Sequence, residues 1–289
     1  MKIWIAGARP RTLPAAIAPV LIGTSLINSD GKDINWLNAL LALGVGLLLQ
    51  IAVNYSNDYS DGIRGTDEAR VGPTRLVASG LKSPKAVKSA AITNYFLASL
   101  CGLALSLRTS PLLIIIGVIA IVVAWNYTGG KKPYGYQGFG EISVFIFFGL
   151  VATMGSYFAQ SQKISWSALL LAIPMGALSC TILGLNNLRD RPKDEAVGKK
   201  TLAVRLGDAK ARMLLIFFLL VTFLTSIGAA VITPWALIVI ATLPFYYILI
   251  KGITSGAIGA RLIPLLGKAG ELQLVTALLI TFALMITRA

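Results

Sequence analysis

The sequence predicts an all-α, polytopic membrane protein with nine transmembrane helices. Three observations carry that prediction. Apolar runs near 20 residues long recur along the whole chain, each sufficient to cross about 30 Å of hydrocarbon as a helix. Charged residues make up only 13% of the 289 positions, about half the share in a soluble domain and too few to coat a globule of this size. The basic residues that do occur sort almost entirely to one side of the predicted bilayer. Mean hydropathy is +0.76, which excludes a disordered chain. With no histidine, and only Cys101 and Cys180 in apolar runs, the chain cannot build a histidine-ligated haem or zinc site, a Ser-His-Asp triad or a disulfide scaffold.

The predicted spans run in order over 12–28, 36–57, 87–107, 111–127, 142–160, 166–187, 212–231, 234–250 and 271–287. The first begins just after Arg9 and Arg11; its apolar stretch is long and no small-residue cleavage site follows, so it reads as a retained anchor. The third opens with Lys88, Ser89, Thr93 and Asn94 and is the weakest. Pro192 is expected to stop the sixth helix near Arg191 and restart it, because proline lacks the N–H and clashes with the preceding turn. With nine spans, the N-terminus and every even-to-odd connection share one face. That face holds 22 of the 26 lysines and arginines, while Lys32, Arg108, Lys163 and Arg288 fall opposite. The asymmetry predicts an N-terminus on the cytoplasmic side of the membrane and a C-terminus outside. The ordinary use of such a face is contact with anionic lipid of the bilayer, and no nucleic-acid partner is expected.

Lipid contact does not explain the carboxylates. Ten of the twelve acidic residues share the basic face, only Asp30 and Asp33 lying opposite. Asn57-x-x-x-Asp61 recurs as Asn186-x-x-x-Asp190, 129 residues later, and Asp67-Glu68-Ala69 followed by Val71-Gly72 recurs as Asp194-Glu195-Ala196-Val197-Gly198. The chain therefore reads as one domain over 1–289 made of two related halves, about 1–140 and 141–289. Residues four apart share a helical face. Amides and carboxylates at a helix end in lipid need a cavity or a partner, and carboxylates facing one another need cations. Oxygen donors without histidine or cysteine select Mg²⁺ or Mn²⁺. Arg64, Arg75, Arg189, Lys199 and Lys200, interleaved with the acids, suit phosphate oxygens that a metal leaves free. Together they point to a metal-bound diphosphate with a lipophilic organic part.

Residues 127–141 form a third informative connection, shaped by glycine and proline. Tyr127, Tyr134 and Tyr136 stand there beside Lys131 and Lys132. Interfacial tyrosines are often belt residues; three of them on the face of both acidic clusters favour a site wall, able to stabilise a cation through ring faces.

Read jointly, these segments resemble a known family. Arg-Pro-Arg-Thr-Leu-Pro-Ala-Ala at 9–16, Asn-Asp-Tyr-Ser-Asp at 57–61, Gly-Thr-Asp at 65–67, Gly-Pro-Thr-Arg-Leu-Val at 72–77, Tyr-Thr-Gly-Gly at 127–130, Pro-Tyr-Gly-Tyr at 133–136, Gly-Glu at 140–141 and Asn-Asn-Leu-Arg-Asp from 186, continuing to Gly-Lys-Lys-Thr-Leu at 198–202, are similar to the UbiA superfamily of intramembrane aromatic prenyltransferases. Within it they look most like the 1,4-dihydroxy-2-naphthoate polyprenyltransferases of menaquinone synthesis. The broad superfamily pattern is N-D-x-x-D-x-x-x-D; here Gly65 stands four after Asp61 and the next acid is Asp67, a variant that resembles the naphthoate subgroup.

The resemblance implies a nine-helix fold with two Asp motifs capping a central cavity. It implies that Asp61 with Asp58 or Asp67, and Asp190 with Asp194, hold Mg²⁺, two ions in all, on the diphosphate of a polyprenyl donor. Asn57 and Asn186 would support that shell, with Arg75, Arg189 and Lys199 on the phosphate oxygens. Ionisation would leave an allylic cation near Tyr127 or Tyr134. The ring of 1,4-dihydroxy-2-naphthoate would attack it, with loss of CO₂, to give demethylmenaquinone; Lys131, Arg9 or Arg11 would hold the acceptor's carboxylate. Other acceptors in the superfamily are 4-hydroxybenzoate and homogentisate. Outside it, Asp58-x-x-Asp61-Gly62 matches the start of the CDP-alcohol phosphotransferase motif, but those enzymes keep all their acids in one short segment. Internal repeats and buried acids also occur in transporters, whose sites lie near mid-membrane rather than at one face.

Overall fold

The computed structural model describes residues 2–66 and 74–287, and among them regular structure is helical throughout. The chain opens with a short helix, α1 (Lys2–Ala8), and a 3₁₀ turn over Pro10–Thr12, then bends by 55° into α2 (Pro14–Ser29). Pro10 and Pro14 fit this corner because each sits in a first turn, where no N–H is needed. There follow α3 (Trp36–Ile63), α4 (Pro84–Arg108), α5 (Leu112–Asn126), α6 (Gly140–Ser161), α7 (Trp166–Ala196), α8 (Leu202–Val231), α9 (Pro234–Thr254) and α10 (Gly259–Ile286). Starts are set by caps: the side chains of Asn35, Ser83 and Ser165 accept from the backbone N–H of Asn38, Ala86 and Ser167.

Seven of these helices are long and apolar enough to cross a membrane, and the bent α1–α2 pair makes eight. The chain is thus an integral membrane protein, but the predicted count of nine is not reached by length. The shortfall is α5, whose 15 residues rise only about 22 Å. Leu113 at its start and Tyr127 just past its end nevertheless line one cavity, so α5 follows that cavity's depth.

The helices also outrun the apolar spans at their polar ends. α3 continues to Ile63 and α7 to Ala196. α8 starts ten residues before the predicted 212, with non-helical backbone at Gly207 (φ 72°, ψ 173°), a conformation open to glycine. Pro192 does not break α7, contrary to the sequence expectation. Proline deletes a single bond of the ladder, the one to the Leu188 carbonyl, and the helix continues on the far side to Ala196.

α7 is the central helix: 72% of its apolar window is buried, against 28–50% in the other six long spans. Helix association in lipid depends on close packing rather than on hydrophobic burial. Gly149, in a π-helical stretch of α6 over Phe145–Val151, lies against Gly176 of α7, where a Cβ would come within 2.6 Å of the Gly176 Cα. Outward-facing Leu107, Ile164, Trp166 and Val231 are exposed, as expected of side chains that meet lipid or its interface.

Candidate active site

A cavity of about 370 Å³ opens among α2–α7. One face of α3 lines it from end to end, through Ala42, Val45, Gly46, Leu49, Gln50, Val53, Asn54, Asn57 and Asp61. These positions recur every three or four residues, the spacing of a single helical face. From Ala42 to Asp61 the helix rises about 28 Å. The stripe is apolar at its start and becomes amide- and carboxylate-bearing towards Asp61. Val20, Leu105 and Leu113 add apolar wall, whereas Asn186, Asn187, Asp190, Lys193 and Asp194 of α7 bring polar groups.

At the polar mouth Asp61 is a convergence point. Lys199 Nζ lies 3.1 Å from its Oδ1, Arg75 Nη2 lies 3.5 Å from Oδ2, and the Tyr136 hydroxyl donates to Oδ1. Tyr136 and Lys199 come from segments distant in sequence, and Arg75 from the connection that follows α3. Lys199 Nζ also stands 4.5 Å from the Tyr136 ring centroid, a cation–π contact. Burial, together with the negative charge of Asp61, pushes the Tyr136 phenol well above its ordinary pKa, so it remains a donor. Burial likewise raises Tyr134, whose hydroxyl lies 2.8 Å from Ser143 Oγ. Tyr127 and Tyr134 meet edge to face at 5.5 Å and both line the cavity.

Asp190 has a local partner. Arg189 of the same helix turn donates from Nε and Nη2 to its two oxygens, both at 2.7 Å. Arg189 is buried but does not itself line the cavity; it backs the carboxylate that does. Its Nη1 is buried with no hydrogen-bond partner among the described residues.

The donor set fits Mg²⁺. Among the described residues no three carboxylates converge into a ready-made cage. Mg²⁺ seldom needs one, taking one or two carboxylates and completing its shell with water and substrate phosphate. Asp61 from α3 and Asp190 and Asp194 from α7 reach one cavity and offer only oxygen.

The UbiA prenyltransferase family model matches residues 16–263. The chain belongs to this family. It is 49% identical to the 1,4-dihydroxy-2-naphthoate octaprenyltransferase of Mycobacterium tuberculosis, over 97% of this chain and 96% of that protein. It is 46% identical to the enzyme of the same name from Mycobacterium leprae, over 97% and 95%. Its fold is similar to that of a UbiA homologue from Archaeoglobus fulgidus solved with GPP and Mg²⁺: TM-score 0.69, 15% identity, 98% of this chain and 99% of that one.

Most of the polar residues expected of a UbiA-type site line the cavity: Asn57, Asp61, Arg75, Tyr127, Tyr134, Asn186, Asp190, Asp194 and Lys199. Others stand elsewhere. Asp58 does not line it; its two oxygens accept from the backbone N–H of Leu76 (2.8 Å) and Val77 (3.0 Å), pinning that loop to α3. Asp67 lies outside the described residues. Arg64 donates to the carbonyls of Thr128 and Gly130, fastening the end of α3 to the turn after α5 instead of facing phosphate. Lys200, Lys131 and Arg11 are exposed and outside the lining, whereas Arg9 is within it.

Sequence reasoning missed three parts of the wall. Thr128 donates to Asn57 Oδ1 at 2.7 Å. Lys193 lines the cavity but reads in the sequence only as basic charge. Gln50 and Asn54 were absorbed into an apolar span, although 50, 54, 57 and 61 already carried a polar stripe at helical spacing.

Proposed function

We propose that this UbiA-family enzyme transfers a polyprenyl group from polyprenyl diphosphate to 1,4-dihydroxy-2-naphthoate, releasing diphosphate and CO₂ and giving demethylmenaquinol, the reduced form of demethylmenaquinone. The observation that carries the reading is the gradient along one cavity wall, from apolar Ala42 to Asp61 among cations. It matches a ligand that is hydrocarbon at one end and multiply charged at the other. The names of the mycobacterial relatives supply the acceptor.

Asp61, Asp190 and Asp194 would hold Mg²⁺, two ions in this reading, with Asn57 and Asn186 beside them and Asp67 the better fourth carboxylate because Asp58 stands outside the cavity lining, bound to backbone amides. Bound there, the metal supplies Lewis-acid neutralisation of the diphosphate. Lys199 and Arg75 stand within the same cluster and take up phosphate oxygens as negative charge builds on the leaving group. Arg189 holds Asp190 in position. As the allylic C–O bond breaks, its electrons leave with the diphosphate, and the ring faces of Tyr127 and Tyr134 stabilise the allylic cation. The apolar wall excludes water that would capture that cation. The electron-rich naphthoate ring then supplies the electron pair for the new C–C bond, and CO₂ departs as aromaticity returns.

The mouth faces the cytoplasm in this proposal, because it lies on the side where 22 of the 26 basic residues sort. In this proposal the chain's two related halves each supply one helix, α3 and α7, and the lining of one cavity by Asn57, Asp61, Asn186 and Asp190 supports it.

An acceptor panel tests the function. Purified protein in lipid, given polyprenyl diphosphate and Mg²⁺, is expected to prenylate 1,4-dihydroxy-2-naphthoate with one CO₂ released per product. A preference for 4-hydroxybenzoate or homogentisate would replace the acceptor, and turnover of none of the three would overturn the reading.

A further inference from the structure

The corner between α1 and α2 carries polar groups that the diphosphate chemistry does not use. Arg9 has left-handed backbone (φ 53°, ψ 70°), an uncommon state for a residue with a Cβ and one that surroundings must enforce. Two buried side chains of α3 enforce it. Asn54 Nδ2 donates to the Ala8 carbonyl at 2.9 Å and to Thr12 Oγ1 at 3.1 Å, and Gln50 Nε2 donates to Thr12 Oγ1 at 2.9 Å. Thr12 closes the corner by donating to the Arg9 carbonyl at 2.9 Å.

Two atoms of this cluster have no partner. Arg9 Nη2, a charged donor, and Gln50 Oε1, an acceptor, are both buried without a hydrogen-bond partner among the described residues, and both residues line the cavity. Gln50 is only 7% exposed, so bulk water does not relieve it. Leaving such groups unmet is costly, and they remain separate within one cavity instead of pairing with each other. Along α3, Asn54 lies about 10 Å and Gln50 about 16 Å from Asp61 by helical rise, which sets this corner below the carboxylate mouth.

We propose that this corner is the acceptor-recognition subsite, specific for an aromatic carboxylate bearing a ring hydroxyl. Arg9 Nη2 donates to the carboxylate and Gln50 Oε1 accepts from the hydroxyl, while Asn54 and Thr12 are positioning residues that hold the Arg9 backbone. The inference rests on the aromatic-acid reading above and selects Arg9 over Lys131 and Arg11, which stand outside the cavity lining.

Equilibrium binding to the full chain in detergent, with 1-hydroxy-2-naphthoate and its carboxylate-free counterpart 1-naphthol as probes, tests it apart from turnover. Wild-type protein should prefer the acid. Arg9→Gln should weaken acid binding by roughly ten- to hundredfold, the share of one charge-assisted hydrogen bond. The same change should leave 1-naphthol binding and the KM for prenyl diphosphate unmoved, and Arg9→Lys should restore part of the preference. Gln50→Glu, which sets a second carboxylate beside the acid, should weaken 1-hydroxy-2-naphthoate selectively and keeps the proposal testable if Arg9→Gln does not fold. Unchanged acid binding in both variants, or an Arg9→Gln effect on the KM for prenyl diphosphate alone, overturns the subsite. Selective binding without any turnover would instead sink the proposed reaction and leave the subsite standing.

Discussion

The two Asn/Asp clusters are near copies in sequence and are built differently in space. At the end of α3, Asp61 gathers Lys199, Arg75 and Tyr136 from three other parts of the chain, and Asn57 accepts from Thr128 across the cavity mouth. Near the end of α7, Asp190 is held by its sequence neighbour Arg189, and Asn186 donates back to the Ile182 carbonyl of its own helix. One cluster ties the mouth together. The other pairs its acid with a cation of the same turn. A repeated motif therefore guarantees the donor atoms but not their partners, which depend on what the surrounding helices bring close.

Breaking each cluster should expose that asymmetry. Asp61→Asn leaves Lys199 and Arg75 buried around a neutral group, and loss of one partner from a buried pair costs about 3–5 kcal/mol. Thermal unfolding in detergent should show a larger loss for Asp61→Asn than for Asp190→Asn. Hydrogen exchange should locate it: amides near Tyr136 and Lys199 become less protected in Asp61→Asn, whereas Asp190→Asn affects its own turn of α7. Equal losses with the same exchange pattern would remove the distinction. A smaller effect sharpens it. Thr128→Val deletes the cross-mouth bond to Asn57, about 1 kcal/mol, and should lower kcat/KM several-fold in a steady-state assay without moving the midpoint by more than a few degrees.

How much of this was legible beforehand follows from the kind of signal each feature leaves. The spans and the basic face could be read because bilayer thickness and charge sorting impose long, regular patterns. The Asn/Asp pairs could be read because four-residue spacing fixes a shared face. Arg64 could not be assigned, since its charge suits a phosphate and the carbonyls of Thr128 and Gly130 equally well. Asp58 stands three residues from Asp61, yet the loop at Leu76 and Val77 takes its oxygens; that depends on a tertiary contact. Gln50 and Asn54 were diluted among apolar neighbours, and their stripe gains meaning only when adjacent helices leave a gap beside it. Pro192 misleads because a proline removes one ladder bond and can bend a helix without ending it.

The central claim is that Asp61 and Asp190, despite their different surroundings, act together on one metal-bound diphosphate. The most direct test is prenyl transfer from polyprenyl diphosphate to 1,4-dihydroxy-2-naphthoate, measured across a Mg²⁺ titration in wild-type protein, Asp61→Ala and Asp190→Ala. Wild-type turnover should rise with Mg²⁺ and vanish with chelator. Each variant should lose roughly 10²–10³-fold, the scale of removing one electrostatic element from a transition state, with no recovery at saturating Mg²⁺. Full turnover in either variant, or wild-type turnover indifferent to chelation, would contradict the account.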